Sequence, residues 1–175
     1  MRRIPPSTPD VLRRLVVGGM ALLAAGLARA DDPRIAMLEA IRLDDADAVR
    51  RLLAKSVSPN LREKTHGPAI VMAARLDSFK SLALLAVAPG VDLEATDASG
   101  QTALMMAAIK GHEPSVKLLL DRGAKVDSDG WTALHYAASR GHAEVARMLI
   151  LRGANLDARS ANGTTPVMLA ARNEH

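Results

Sequence analysis

The chain contains no cysteine, and it has only one Phe, one Tyr and one Trp. The first absence excludes disulfides, thiolate zinc sites and thiol catalysis together, and makes an oxidising compartment harmless to the protein. The second excludes a globular core built on aromatic rings, and a chain rich in Ala and Leu suits thin stacked helices instead. Catalytic signatures are missing too. There is no Gly-x-Ser-x-Gly elbow, no glycine-rich phosphate loop and no pair of acids spaced for one helix face. Asp44, Asp45 and Asp47 cluster at a helix turn and N-terminus, where carboxylates favour the helix dipole, and a calcium site would need more oxygen ligands. His112 and His142 each follow a glycine and are too far apart in sequence for the i, i+4 spacing of a metal pair. No enzyme activity, cofactor or metal is expected.

Excess charge of one sign is absent once the first thirty residues are set aside. The chain has 23 Lys plus Arg against 19 Asp plus Glu, but residues 1–30 hold five Arg and one Asp, leaving 18 of each. A neutral remainder gives no support for nucleic-acid binding. Those thirty residues read as an export signal. Arg2, Arg3, Arg13 and Arg14 precede an apolar run from Leu15 to Leu27, and Ala28-Arg29-Ala30 offers small residues to a signal peptidase. The run is shorter than the roughly 20 residues a membrane span needs. Cleavage after Ala30 is therefore predicted, with no membrane attachment afterwards, and the periplasm is the destination if the source is a Gram-negative bacterium. Arg13-Arg14-Leu15-Val16-Val17 also resembles a twin-arginine signal. The competing reading is an uncleaved anchoring helix, which Gly18, Gly19 and Gly26 weaken.

What is present from residue 31 onward is repetition. Ala40, Ala73, Ala107 and Ala137 precede Leu52, Leu85, Leu119 and Leu149 by twelve residues each time, and Ala170 begins a fifth unit. The clearest unit is GWTALHYAASRGHAEVARMLILRGANLD, residues 130–157. In it Thr132 can cap a first helix, Gly141 can end it left-handed, and a second helix is predicted from Ala143 to Leu151 before Gly153 breaks the pattern. Gly130, Thr132, Leu134, His135, Ala137, Ala138, Gly141, His142, Leu149, Gly153 and Ala154 together closely resemble the ankyrin repeat.

That resemblance implies an all-α solenoid of stacked helix-turn-helix units with β-turn fingers. The units run 32–64, 65–97, 98–127, 128–160 and a shortened 161–175. Repeat one has Asp44 and Ser56 where the family prefers glycine and reads as an N-terminal cap, with Asp32 capping a helix that starts at Pro33. Repeat two has Asp77 at its mid-point and His66-Gly67-Pro68 where the finger should close. The connection between repeats three and four is three residues shorter than elsewhere, so a stunted finger is expected around Lys125 to Gly130. Repeat five stops at Arg172-Asn173-Glu174-His175 with no second helix. This ending fits a fragment, a frayed last turn or an apolar docking surface.

The resemblance also implies binding of an unidentified protein partner through the fingers and the concave face. The matching positions are Gln101, Ile109 and Lys110 in repeat three, and Ser128, Asp129, Trp131, Tyr136, Ser139 and Arg140 in repeat four. Arg159 and Asn162 supply the last finger. Trp131 is expected to be the principal contact, since tryptophan is enriched at interface hot spots. Two roles fit this class, supporting a periplasmic enzyme and neutralising a toxin. The alternative is that the repeats are the truncated accessory region of a larger enzyme or envelope-anchored protein.

Overall fold

A small residue at one fixed position per repeat is what lets these helices stack. The computed structural model describes residues 32–175; the leader and its cleavage positions Ala28 and Ala30 lie outside them. The helices are α1 (Pro33–Arg42), α2 (Ala46–Ala54), α3 (Ala69–Arg75), α4 (Phe79–Ala86), α5 (Ala103–Ile109), α6 (Glu113–Asp121), α7 (Ala133–Arg140), α8 (Ala143–Leu151) and α9 (Pro166–Arg172). First helices α1, α3, α5, α7 and α9 pack in one layer, and second helices α2, α4, α6 and α8 in the other. Ala73, Ala107 and Ala137 have no exposed surface, nor do Leu85, Leu119 and Leu149. The repeats therefore share one continuous apolar core, which a single unit could not form alone. Among the described residues the only sheet is a two-stranded hairpin, β1 (Arg62–Glu63) with β2 (Gly67–Pro68).

Six of the nine described helices begin where the N-cap residue supplies a side-chain acceptor for the first free N–H groups. Thr102, Thr132 and Thr165 do so for α5, α7 and α9 through their side chains. Asp32 caps α1 with Pro33 following, and Asp45 caps α2. His112 caps α6 with Nδ1, which accepts from the Ser115 amide at 3.3 Å, while its ring stacks on Phe79. Burial holds the pKa of this imidazole below its ordinary value, with Asp77 opposing. The neutral ring is the form that can accept a hydrogen bond at Nδ1.

The turn between paired helices is left-handed in every repeat. Gly111 and Gly141 adopt it without cost, and a Cβ added at either would lie within 3 Å of an imidazole ring from the next repeat, His142 or His175 respectively. His142 Nε2 also donates to the Ile109 carbonyl at 3.2 Å. The corresponding residues elsewhere are Asp44, Asp77 and Glu174, all with positive φ. The acidic cluster of repeat one is thus not merely a set of solvated caps. Asp44 reaches across to repeat two, where Oδ1 accepts from the Ser81 amide at 2.8 Å and caps α4, whose own N-cap Ser78 makes no side-chain bond.

A pair of substitutions separates strain from function at these positions. Ser56 is exposed at φ 61°, and Ser56→Gly is expected to stabilise the protein by about 1 kcal/mol by relieving the left-handed conformation. Asp44→Gly relieves the same strain but removes the cap on α4, a loss of about 1 kcal/mol or more. Urea unfolding should rank Ser56→Gly above the parent and Asp44→Gly at or below it. An Asp44→Gly protein as stable as Ser56→Gly would refute the cross-repeat cap.

Candidate partner-binding surface

The finger joining repeats two and three is closed by its own backbone. The Asp97 amide donates to the Gln101 carbonyl at 3.1 Å, and Gly100 donates back to Asp97 at 3.1 Å. Asp97 Oδ1 gathers the amides of Ser99 and Gln101 at 2.8 and 3.0 Å. Its other oxygen is paired with the Arg75 guanidinium of α3. The same guanidinium donates to Gln101 Oε1 at 3.3 Å, and Gln101 Nε2 donates to the Tyr136 hydroxyl of α7 at 2.7 Å. Beyond Tyr136 lies Trp131, with ring centroids 5.2 Å apart at 43°. Arg75, Asp97, Gln101, Tyr136 and Trp131 thus form one connected line from the finger across the first helices of repeats two to four.

Three of the residues expected from sequence, Gln101, Tyr136 and Trp131, meet in this line. Trp131 is 36% exposed, and the rest of its indole rests on Tyr136 and on His135, whose centroid is 5.5 Å away. Its ring is both packed and presented, which is the rigid, part-wet setting in which an aromatic contact anchors a partner. Ser128 Oγ donates to the Trp131 carbonyl at 3.3 Å and steadies the shortened finger. Among the described residues no backbone bond closes Asp127 to Trp131 as one closes Ser160 to Thr164 at 3.0 Å. The part-exposed indole thus sits at the shortened connection.

The other expected residues lie apart from the line. Lys110 pairs with Asp77 of the preceding repeat at 2.9 Å, and Ile109 is half-buried with its carbonyl engaged by His142. Ser139 Oγ donates to the Tyr136 carbonyl at 2.9 Å, and the Ser139 carbonyl accepts from Asn173. Asn162 turns its Oδ1 inward to the Thr164 hydroxyl at 2.8 Å and so holds its own finger. Asp129, Arg140 and Arg159 are exposed.

Sequence reasoning passed over Arg75 and the role of Asp97. A signal for Arg75 was present: it stands two residues after Ala73, the register of Ile109 after Ala107 and Ser139 after Ala137. The same register marks Arg42 and Arg172. The residues that follow them include Leu43 and Leu76, both exposed, alongside Lys110 and Arg140. In repeats one to three this pair of positions thus couples one cationic with one apolar residue.

At the hairpin that opens repeat two, Glu63 accepts from the Thr65 hydroxyl, from His66 and from both of their amides. These bonds lower its pKa to about 2, the Thr65 hydroxyl being the largest cause. One carboxylate oxygen, Oε2, takes all of these bonds, while Oε1 faces Arg42 at 3.9 Å. Among the described residues no group of three His, Asp or Glu side chains could hold a metal ion, and no helix is long and apolar enough to cross a membrane.

Comparison with known proteins bears on what this surface is for. Residues 70–160 match a family model described as ankyrin repeats in three copies. A mouse protein, ankyrin repeat and SAM domain-containing protein 6, is 37% identical over 95 residues, covering 52% of this chain and 10% of the mouse protein. The chain thus corresponds to about a tenth of that relative's length. With over half of its residues matched by the family model and the helix pairs stacked in register, the chain belongs to the ankyrin-repeat family.

Proposed function

We propose that this protein acts outside the cytoplasm as a non-catalytic module that binds a protein partner through the concave line ending at Trp131. A protein-interaction role is what ankyrin repeats indicate, and the line gives that role an address. The observation that carries it is the Trp131–Tyr136 pair. The indole packs against Tyr136 and His135 yet stays 36% exposed, and the Tyr136 hydroxyl is held by Gln101. Preorganisation of this kind lowers the entropy lost on binding. Arg75 and Lys110 are each paired with a carboxylate of this chain, so the partner surface that fits has an apolar centre for the indole and polar groups around it. Export rests on the leader alone, with its basic start, apolar run and Ala28-Arg29-Ala30 end. A partner resident in the same compartment, an envelope enzyme or a toxin acting there, fits that destination.

The test is a crosslinking capture from the envelope fraction with the tagged chain beside its Trp131→Ala form, with N-terminal sequencing of the recovered protein. A chain beginning at Asp31 and a partner reduced in the variant are expected. With that partner purified, Trp131→Ala should weaken binding by about tenfold or more. An unprocessed chain found in the cytoplasm would refute the localisation. An unaltered titration would refute the assigned face.

A further inference from the structure

The line from Asp97 to Trp131 has a direction. A guanidinium can only donate hydrogen bonds, so Arg75 decides which end of the Gln101 amide faces it. Gln101 Oε1 accepts from Arg75 at 3.3 Å, and Nε2 is thereby turned to the Tyr136 hydroxyl, to which it donates at 2.7 Å. The opposite amide orientation would set N–H donors against the guanidinium. Arg75 is itself held, because it pairs with an Asp97 side chain that is only 6% exposed and whose Oδ1 already gathers the Ser99 and Gln101 amides. From Arg75 onward every donor points toward Tyr136. The phenolic oxygen accepts from within, and among the described residues no group accepts its proton. That proton is left to be donated outward, on a half-buried ring beside the exposed part of Trp131. Hydrogen bonds in series polarise one another, which strengthens the last donor.

We infer that the partner meets Tyr136 with a hydrogen-bond acceptor, a carbonyl oxygen set beside the apolar side chain that covers Trp131. The inference rests on the binding face proposed above and makes Tyr136 its specificity-determining residue, with Gln101 fixing the sign. A partner donor placed there would bury the hydroxyl proton without an acceptor, which costs more than a merely absent bond. Local charge favours a carbonyl over a carboxylate. Arg75 is neutralised by Asp97, and the exposed charged residues that flank the aromatic pair in sequence, Asp129 and Arg140, are of opposite sign. Exchanging Gln101 for glutamate inverts the arrangement. A carboxylate has no proton to give, so the Tyr136 hydroxyl must turn inward to it. The contact between the two residues survives, and the outward donor is lost.

Two measurements test this. The first needs the protein alone. Tyr136 is the one tyrosine of the chain, so its hydroxyl proton can be followed by NMR without ambiguity. In the parent it should exchange with water too fast to be seen, and in Gln101→Glu it should appear as a protected signal. The second uses a phage-displayed library of random linear peptides selected on the purified chain, with peptides that the Trp131→Ala form also retains removed. Calorimetric titration of the remaining peptides should show Tyr136→Phe weakening them by about threefold to tenfold, and Gln101→Glu by at least as much. Gln101→Glu added to Tyr136→Phe should weaken them little further, since both remove the same donor. Added salt should leave the affinity of the parent unchanged. A parent hydroxyl already protected from exchange would overturn the inference, as would a Tyr136→Phe protein that binds these peptides like the parent, or losses that simply add. A steep loss of affinity with salt would replace the carbonyl with a carboxylate. A library that yields no Trp131-dependent peptide would instead refute the binding face itself.

Discussion

Replacing His135 with alanine is expected to lower the free energy of unfolding by about 3 kcal/mol, the largest single effect among the polar residues. The ring is fully buried. Its Nε2 faces the Thr164 carbonyl at 3.0 Å, so that nitrogen carries the proton, and Nδ1 is left to accept from the Thr132 amide at 3.1 Å. The imidazole thereby ties the start of α7 to the finger of the following repeat. Alanine leaves the buried Thr132 amide without its acceptor, removes the link to the Thr164 carbonyl, which keeps its bonds from Ser160, and opens a cavity beside the core. His135→Met is the informative companion, because repeat three has Met105 at this position, with Sδ 3.5 Å from the Thr102 amide. Methionine keeps the volume and a weak acceptor while losing the tie to repeat five, so it should cost about 1 kcal/mol. Urea unfolding of the three proteins checks the order. An alanine variant as stable as the parent would show that the tie contributes nothing.

Replacing Ala137 with leucine is expected to cost about 1–3 kcal/mol through overpacking. Ala137 has no exposed surface, and it stands where α7 packs between α5 and α9. Three added carbons have nowhere to go unless the helices of this layer move apart, and that movement would also open the second layer, where Leu149 and Leu119 are fully buried. The same substitution at Ala171, which is exposed, should be close to neutral. Thermal unfolding of both variants is sufficient, and a leucine at 137 that melts with the parent would contradict the ladder.

His135 and Ala137 are legible in the amino-acid sequence because the ladder they belong to repeats there. A fixed twelve-residue step from alanine to leucine defines a helix pair, and threonine, glycine and histidine at constant offsets define its ends. The site is legible only in part. Gln101, Trp131 and Tyr136 can be placed on one side of the solenoid, but nothing in the pattern says that Gln101 bonds Tyr136, 35 residues away. Such contacts depend on how far each repeat slides past the next, and that offset is set by packing. Arg75 escapes notice because its own repeat departs from the family pattern, although the alanine register runs through it unbroken. Asp44 shows the same limit. Its left-handed position can be inferred from the glycines that replace it later in the chain, but its reach to the Ser81 amide cannot.

The glycines of the left-handed turns have a consequence for shape. Between repeats three and four the next unit rests an imidazole directly on the bare backbone of Gly111, and the ring of His175 does the same on Gly141. The thickness of an aromatic ring is thus the gauge that sets the separation of neighbouring units on this side. Between repeats one and two the gauge is different, since Asp44 spans the gap with a carboxylate strut to α4. A rigid ring and an extended carboxylate hold their neighbours at distances fixed by different chemistry. The spacing of neighbouring units on this side is therefore set locally, junction by junction, by the chemistry of the residue at each turn.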